Sequence, residues 1–135
     1  MSEKPFVRVR DVMKQKYDVV EGVATVRQAL EVMRYVDTKS LIVDKRHEHD
    51  EYGIVLLSDI AKKVLAANKS PDRTSIYEVM TKPAITIHPD MDIRYASALF
   101  GRFGISRAPV VDGSGTIVGI VSHTDMVMKG LMNLL

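Results

Sequence analysis

The sequence predicts an α/β (α+β) fold built from two β-α-β-β-α units packed sheet against sheet. Three observations predict it. The first is an internal repeat, the sign of a duplicated unit. Asp11-Val12-Met13 recurs as Glu78-Val79-Met80, Ile42-Val43-Asp44 as Val110-Val111-Asp112, Gly53-Ile54-Val55 as Gly119-Ile120-Val121, and Asp59 as Asp125. Val26-Arg27-Gln28-Ala29-Leu30 recurs more loosely as Ile93-Arg94-Tyr95-Ala96-Ser97. Five features keep one spacing to within a residue or so, near half the chain length. The second is composition. Of 135 residues 46% are hydrophobic and 27% charged, enough to bury a core and too apolar for disorder. Aromatics are only 6% and Trp is absent, so that core is aliphatic. The third is pattern: both halves pass through the same order of periodic segments.

In each half a segment ending in Val-Met leads into a short extended piece, Tyr17 to Val20 or Ala84 to Ile87. An amphipathic helix follows. Val26, Ala29, Leu30, Met33 and Val36 share one helical face in the first half, and Ile93, Ala96, Phe100 and Phe103 do so in the second. Asp90 or Asp92 caps the second of these helices. Two apolar runs come next. Ala108 to Val111 and Thr116 to Val121 are joined by Asp112-Gly113-Ser114-Gly115, a hairpin link. Ser40 to Val43 and Tyr52 to Leu57 are joined by a longer charged link, Asp44 to Glu51. A second helix closes each half, from Ser58 to about Asn68 and from Thr124 to about Met132. Pro71 bars helix continuation, so Asn68 to Asp72 reads as the linker between a first repeat, 1–69, and a second, 70–135. One such half leaves an apolar sheet face bare, and two stacked halves bury a shared core.

Nineteen basic and 17 acidic residues give a net charge of +2. That balance argues against nucleic acid as the main partner, since phosphate neutralisation needs a clustered basic surface. Without cysteine there is no disulfide, thiolate zinc site or cysteine nucleophile, and a reducing compartment is the natural setting. No apolar run approaches the roughly 18 residues that span a bilayer. Met1-Ser2-Glu3-Lys4-Pro5 lacks the apolar stretch of a signal peptide. The expectation is a cytoplasmic protein.

The segment richest in chemistry is Gly119-Ile120-Val121-Ser122-His123-Thr124-Asp125. It reads as a buried strand passing into a helix near Thr124. Free N–H groups at a helix start can hold phosphate, Ser122 and Thr124 add hydroxyls, and the two oxygens of Asp125 suit a ribose diol. The same spacing is also that of a capping box, in which Ser122 or Thr124 caps the helix and Asp125 favours its positive end. In the first half Asp59 is kept, but Leu56 replaces the hydroxyl, and Ser58 is the capping candidate.

These residues resemble the cystathionine β-synthase (CBS) domain, which occurs as tandem pairs called Bateman modules. The resemblance covers roughly Val7 to Leu131. It is carried best by the second half: Glu78 to Lys82, Gly104-Ile105-Ser106-Arg107-Ala108-Pro109-Val110-Val111-Asp112, and Gly119 to Asp125. The first half departs at Leu41, where the family usually has proline, and at Leu56, where it has Ser or Thr. The resemblance implies a pseudo-two-fold pair with two clefts, and frequently a homodimer; no enzyme is expected, because the residues offer no nucleophile–base pair or firm metal set. It implies AMP, ADP, ATP or S-adenosylmethionine as regulatory ligand. In one cleft Asp125 holds the ribose and Ser122 the phosphate side, beside His123 and Thr124, while Val20, Ala24 and Thr38 line the base and Lys39 can pair with phosphate. In a weaker second cleft Ser58 and Asp59 face Ile87, Met91, Ser106 and Arg107, whose guanidinium can pair with phosphate.

Other groupings carry less. His47-Glu48-His49-Asp50-Glu51 gathers metal-ligating types, yet reads as a solvated turn, and no metal is expected. Ser122, His123 and Asp125 sit in one turn, where a hydrolytic triad does not converge. Met126, Met128 and Met132 offer either core packing or an adaptable dimer surface. The expectation is a regulatory ligand sensor signalling to an unknown effector protein through a conformational or dimer change. The alternative is a structural dimerisation or interaction module without ligand.

Overall fold

Residues 6–135 are described by a computed structural model, and their division in space differs from the repeat boundaries in the sequence. One unit joins residues 6–16 to 85–135, and the other is residues 17–84. Each sheet is therefore completed by the segment that precedes the other repeat in the chain. The reading of Met1 to Pro5 as lacking a leader lies outside the described residues. Among the described residues no helix is long and apolar enough to cross a membrane.

In the 17–84 unit, β1 (Val19–Val20) runs parallel to β2 (Ser40–Val43), and β2 pairs antiparallel with β3 (Gly53–Leu56). Leu41 lies opposite Val55 and Ile42 opposite Ile54. Thr81 bridges Ile54 on the outer edge of β3. Helix α2 (Val26–Val32) starts in a capping box: Thr25 Oγ1 accepts from the Gln28 N–H and Gln28 Oε1 accepts from the Thr25 N–H. Val26 and Ala29 drop into a core with Leu41, Val55, Ile76 and Val79. Of the rest of the expected apolar face Met33 packs against this core, but Leu30 and Val36 do not. Leu30 is exposed and Val36 is 58% exposed. For Val36 the reason is that the helix has already ended. Asp18 accepts from the backbone N–H groups of Arg34 and Tyr35, at 3.0 and 2.8 Å, and takes them out of the helical ladder.

In the other unit, α1 (Val9–Val12) precedes Lys14, whose N–H and C=O both pair with Ile120 at 2.8 and 2.9 Å. β4 (Arg107–Val111) and β5 (Ile117–Ser122) are antiparallel, with Ala108 opposite Val121. The link between them is wound around Asp112, which accepts from the N–H groups of Ser114 and Thr116. The extended piece expected over 84–87 reduces to Ile87, bridged in parallel to Val110; Pro83 and Pro89 flank it without N–H donors. Helix α4 (Ile93–Phe103) is capped by Asp92, which accepts from the Arg94 N–H, while Asp90 pairs with Arg8 and Arg10 instead. Ile93, Ala96 and Phe100 enter the core with Val9, Val12, Ala108, Val110 and Val121. Phe103 does not: it is 53% exposed. Gly104 turns the chain at φ 65°, and Ile105 packs on the core beyond it.

The repeated glycines have a steric reason. A Cβ on Gly119 would lie 2.7 Å from both the Lys14 carbonyl oxygen and Met13 Sδ. A Cβ on Gly53 would lie 3.0 Å from Met80 Sδ and 3.3 Å from the Thr81 carbonyl oxygen. Each Val-Met segment thus lies hard against a strand glycine, and this contact makes the two motifs recur together.

Both closing helices are brief. α3 (Leu57–Ile60) widens into a π-helical stretch, Ala61–Leu65, and α5 (His123–Asp125) into Met126–Gly130 and then a 3-10 turn, Leu131–Leu134.

Candidate functional site

The strand-to-helix junction of the 85–135 unit gathers the densest polar chemistry. Ser122 is the N-cap of α5, so neither Thr124 here nor Ser58 at the matching junction takes the capping place expected of it. Ser122 Oγ accepts from the Asp125 N–H at 3.2 Å, and Asp125 Oδ2 accepts from the Ser122 N–H and hydroxyl, both at 3.0 Å. The capping-box geometry is therefore present in full. Asp125 nevertheless does more than cap. It is only 2% exposed, and its Oδ1 accepts from Lys14 Nζ at 2.6 Å, with Lys129 Nζ at 3.4 Å.

Burial by itself raises the Asp125 carboxyl, but hydrogen bonds from Lys14 and Ser122 and the charge of Lys14 outweigh it and hold the group below its ordinary range. Arg107, at the start of β4 and opposite Ser122, is half-buried. Its guanidinium is lowered by burial, against the opposing pull of Asp125. It stays charged at neutral pH. Three cations thus surround one buried carboxylate, a setting that leaves positive charge for an anionic group. His123 is exposed, sets its ring edge-on to Phe100 with centroids 5.1 Å apart, and donates its N–H to the Ser106 carbonyl. Thr124 is exposed.

The matching junction of the 17–84 unit is poorer. Asp59 accepts from the Leu56 N–H at 2.9 Å, and among the described residues it has no cation partner. Thr81 stands where the other unit has Lys14, and Ser40 where it has Arg107. Lys63, the counterpart of Lys129, donates to the Val79 carbonyl at 3.2 Å. Ser58 is exposed.

The other expected site residues fall as follows. Val20 ends β1 and is buried, and Ala24 is half-buried. The Thr38 hydroxyl is buried and donates to the Tyr35 carbonyl at 2.8 Å. Lys39 is exposed and holds a left-handed backbone, φ 56°. Ile87 is buried in the core of its unit, Met91 packs against that core, and Ser106 Oγ accepts from Arg107 Nε. In the charged link, Asp50 accepts from Arg46 and from Lys82 Nζ at 2.7 Å, and the His47 ring accepts from the His49 N–H. Those bonds fold the link onto itself. Beside it lies a cavity of about 660 Å³ bordered by Val43, Lys45, Arg46, Tyr77, Met80 and Lys82.

Lys14 and Lys129 escape a reading of the sequence. Lys129 lies one turn beyond Asp125 and its spacing was available. Lys14 is separated from Asp125 by 111 positions, and only the pairing of Lys14 with Ile120 brings them together.

Comparison with known proteins agrees with this architecture. The CBS domain matches residues 76–130. The hexameric CBS-CP12 protein from bloom-forming cyanobacteria is 37% identical with a TM-score of 0.86, over 92% of this chain and 71% of that one. The CBS domain pair of protein MJ0100, solved with 5′-methylthioadenosine and S-adenosyl-L-methionine, is 28% identical with a TM-score of 0.76, over 96% of this chain and 98% of that one. An uncharacterized protein of Methanopyrus kandleri is 34% identical over 113 residues, 81% of this chain; the chain spans 56% of that relative's length. The chain belongs to the CBS-domain family and is a tandem CBS pair, a Bateman module.

Proposed function

We propose that this chain is a regulatory sensor of an adenosine-containing ligand, an adenine nucleotide or an S-adenosyl compound. The observation that carries the reading is the Asp125 junction: a buried, charged carboxylate beside a capping hydroxyl, ringed by Lys14, Lys129 and Arg107. A carboxylate accepts both hydroxyls of a ribose, and the cations suit a phosphate tail. Support also comes from the MJ0100 domain pair, whose structure holds two adenosyl compounds. In this reading Asp125 and Ser122, with His123 and Thr124 beside them, hold the ligand. Asp59 and Ser58 form the lesser site. Binding biases the packing of the repeats or the pairing of a homodimer, and an effector protein reads that bias. No covalent step is involved.

The test is thermal unfolding with AMP, ADP, ATP, S-adenosylmethionine and methylthioadenosine in turn. A true ligand at 100 times its Kd adds about 2.7 kcal/mol. Asp125→Ala is expected to abolish the gain. A flat response to all five overturns the sensor reading in favour of a purely structural interaction module. That second reading draws on the exposed apolar side chains Met128, Leu131 and Met132 along the last segment.

A further inference from the structure

We propose that Lys14 is an exchangeable counter-ion that makes the Asp125 site selective for adenosine ligands with an anionic tail. The inference rests on the sensor reading above and adds the rule by which the site chooses its ligand. The difficulty it resolves is that Asp125 has no idle oxygen. Oδ2 is committed to the N–H and hydroxyl of Ser122, and Oδ1 to the ammonium of Lys14 at 2.6 Å. The carboxylate side chain is 3% exposed while that of Lys14 is 23% exposed, so the ammonium is the accessible member of the pair.

Lys14 covers a carboxylate that is only 3% exposed, so a ribose hydroxyl reaches Oδ1 only if the ammonium moves aside. A ligand without an anion leaves that ammonium unpaired in a half-buried place, and the lost charge-assisted bond counts against binding. A ligand carrying phosphate offers Lys14 a replacement partner. The ammonium moves from carboxylate to phosphate, Oδ1 is freed for the ribose, and the number of charged pairs is conserved. Lys129 at 3.4 Å and half-buried Arg107 reinforce the attraction without holding Oδ1 as closely. The Asp59 junction cannot work this way, because Thr81 replaces Lys14 and Ser40 replaces Arg107.

The exchange also ties occupancy to the segment 6–16. Lys14 is fixed to β5 by its backbone bonds to Ile120, so its side chain moves while its backbone remains anchored.

The test compares AMP with adenosine by isothermal titration calorimetry on the full chain and on Lys14→Met, Lys14→Arg and Asp125→Asn. The charge-assisted bond at stake corresponds to a preference for AMP of about 10- to 100-fold in the wild type. Lys14→Met is expected to bring the two affinities within about threefold, largely by tightening adenosine relative to AMP, and Lys14→Arg to retain the preference. The arginine variant separates loss of exchange from loss of folding. An AMP preference that survives Lys14→Met, or AMP binding untouched by Asp125→Asn, overturns the inference while leaving a sensor in place. Failure of both compounds and of the wider adenosyl panel to bind the wild type overturns the sensor reading and this rule together.

Discussion

Replacing Gly119 by alanine tests the contact that builds the 85–135 unit. The added Cβ would meet the Lys14 carbonyl oxygen and Met13 Sδ at 2.7 Å, and Met13 Cγ at 3.1 Å. The thioether can swing aside, but the carbonyl is backbone and is held by the Ile120 N–H at 2.9 Å. Relief therefore requires the segment at 13–14 to lift from β5. Overpacking of this kind costs about 1–3 kcal/mol, and loosening the two Lys14–Ile120 bonds about 1 kcal/mol each. The expected loss is about 3–5 kcal/mol, or about 10–15 °C in Tm for a chain of this size. Gly53→Ala meets the far end of Met80 at 3.0 Å and nothing else closer than 3.3 Å, so about 1 kcal/mol is expected there. Urea unfolding followed by circular dichroism measures both. Hydrogen exchange places the Gly119→Ala damage, which should fall on the Lys14 and Ile120 amides. A Gly119→Ala midpoint within about 0.5 kcal/mol of wild type, or a larger loss for Gly53→Ala, refutes the steric account.

Two further outcomes follow from the bonding. The folded Asp125 carboxyl is held below its unfolded value despite burial, so its contribution to stability is complete above about pH 4 and is lost as pH falls through the folded value. Asp125→Asn should therefore flatten part of the acid limb of stability below about pH 4, with no change above it; an unchanged limb in urea titrations counts against the Lys14 pairing. Asp18→Ala removes the acceptor that ends α2, with an expected loss of about 1–2 kcal/mol and faster exchange at the Arg34 and Tyr35 amides. Unchanged exchange at those two amides would show that another group ends the helix.

The duplication, the order of elements and the aliphatic core are legible in the residues, because a repeat preserves spacing and burial imposes period. Gly119 with Asp11-Val12-Met13 and Gly53 with Glu78-Val79-Met80 recur as sets, and each glycine lies against the Met of its own set, Gly119 against Met13 and Gly53 against Met80. Ser122 and Asp125 are three apart, so their reciprocal capping follows from local geometry alone. The limits of α2 and the exposure of Phe103 do not follow from periodicity, since they depend on Asp18 reaching across to distant amides and on Ile105 packing beyond Gly104.

By itself the sequence determined the chain's family, its two-fold repetition and the position of its acidic residues at the strand-to-helix turns, all of them properties of neighbours along the chain. Tertiary structure alone decided that residues 6–16 belong to the sheet of the second repeat, and so that Lys14 covers Asp125 while Asp59 pairs with no ammonium among the described residues. The physical reason is range. A cap is set within one turn of backbone, whereas an ion pair between positions 14 and 125 exists only because a strand edge needs hydrogen bonds and the incoming segment supplies them.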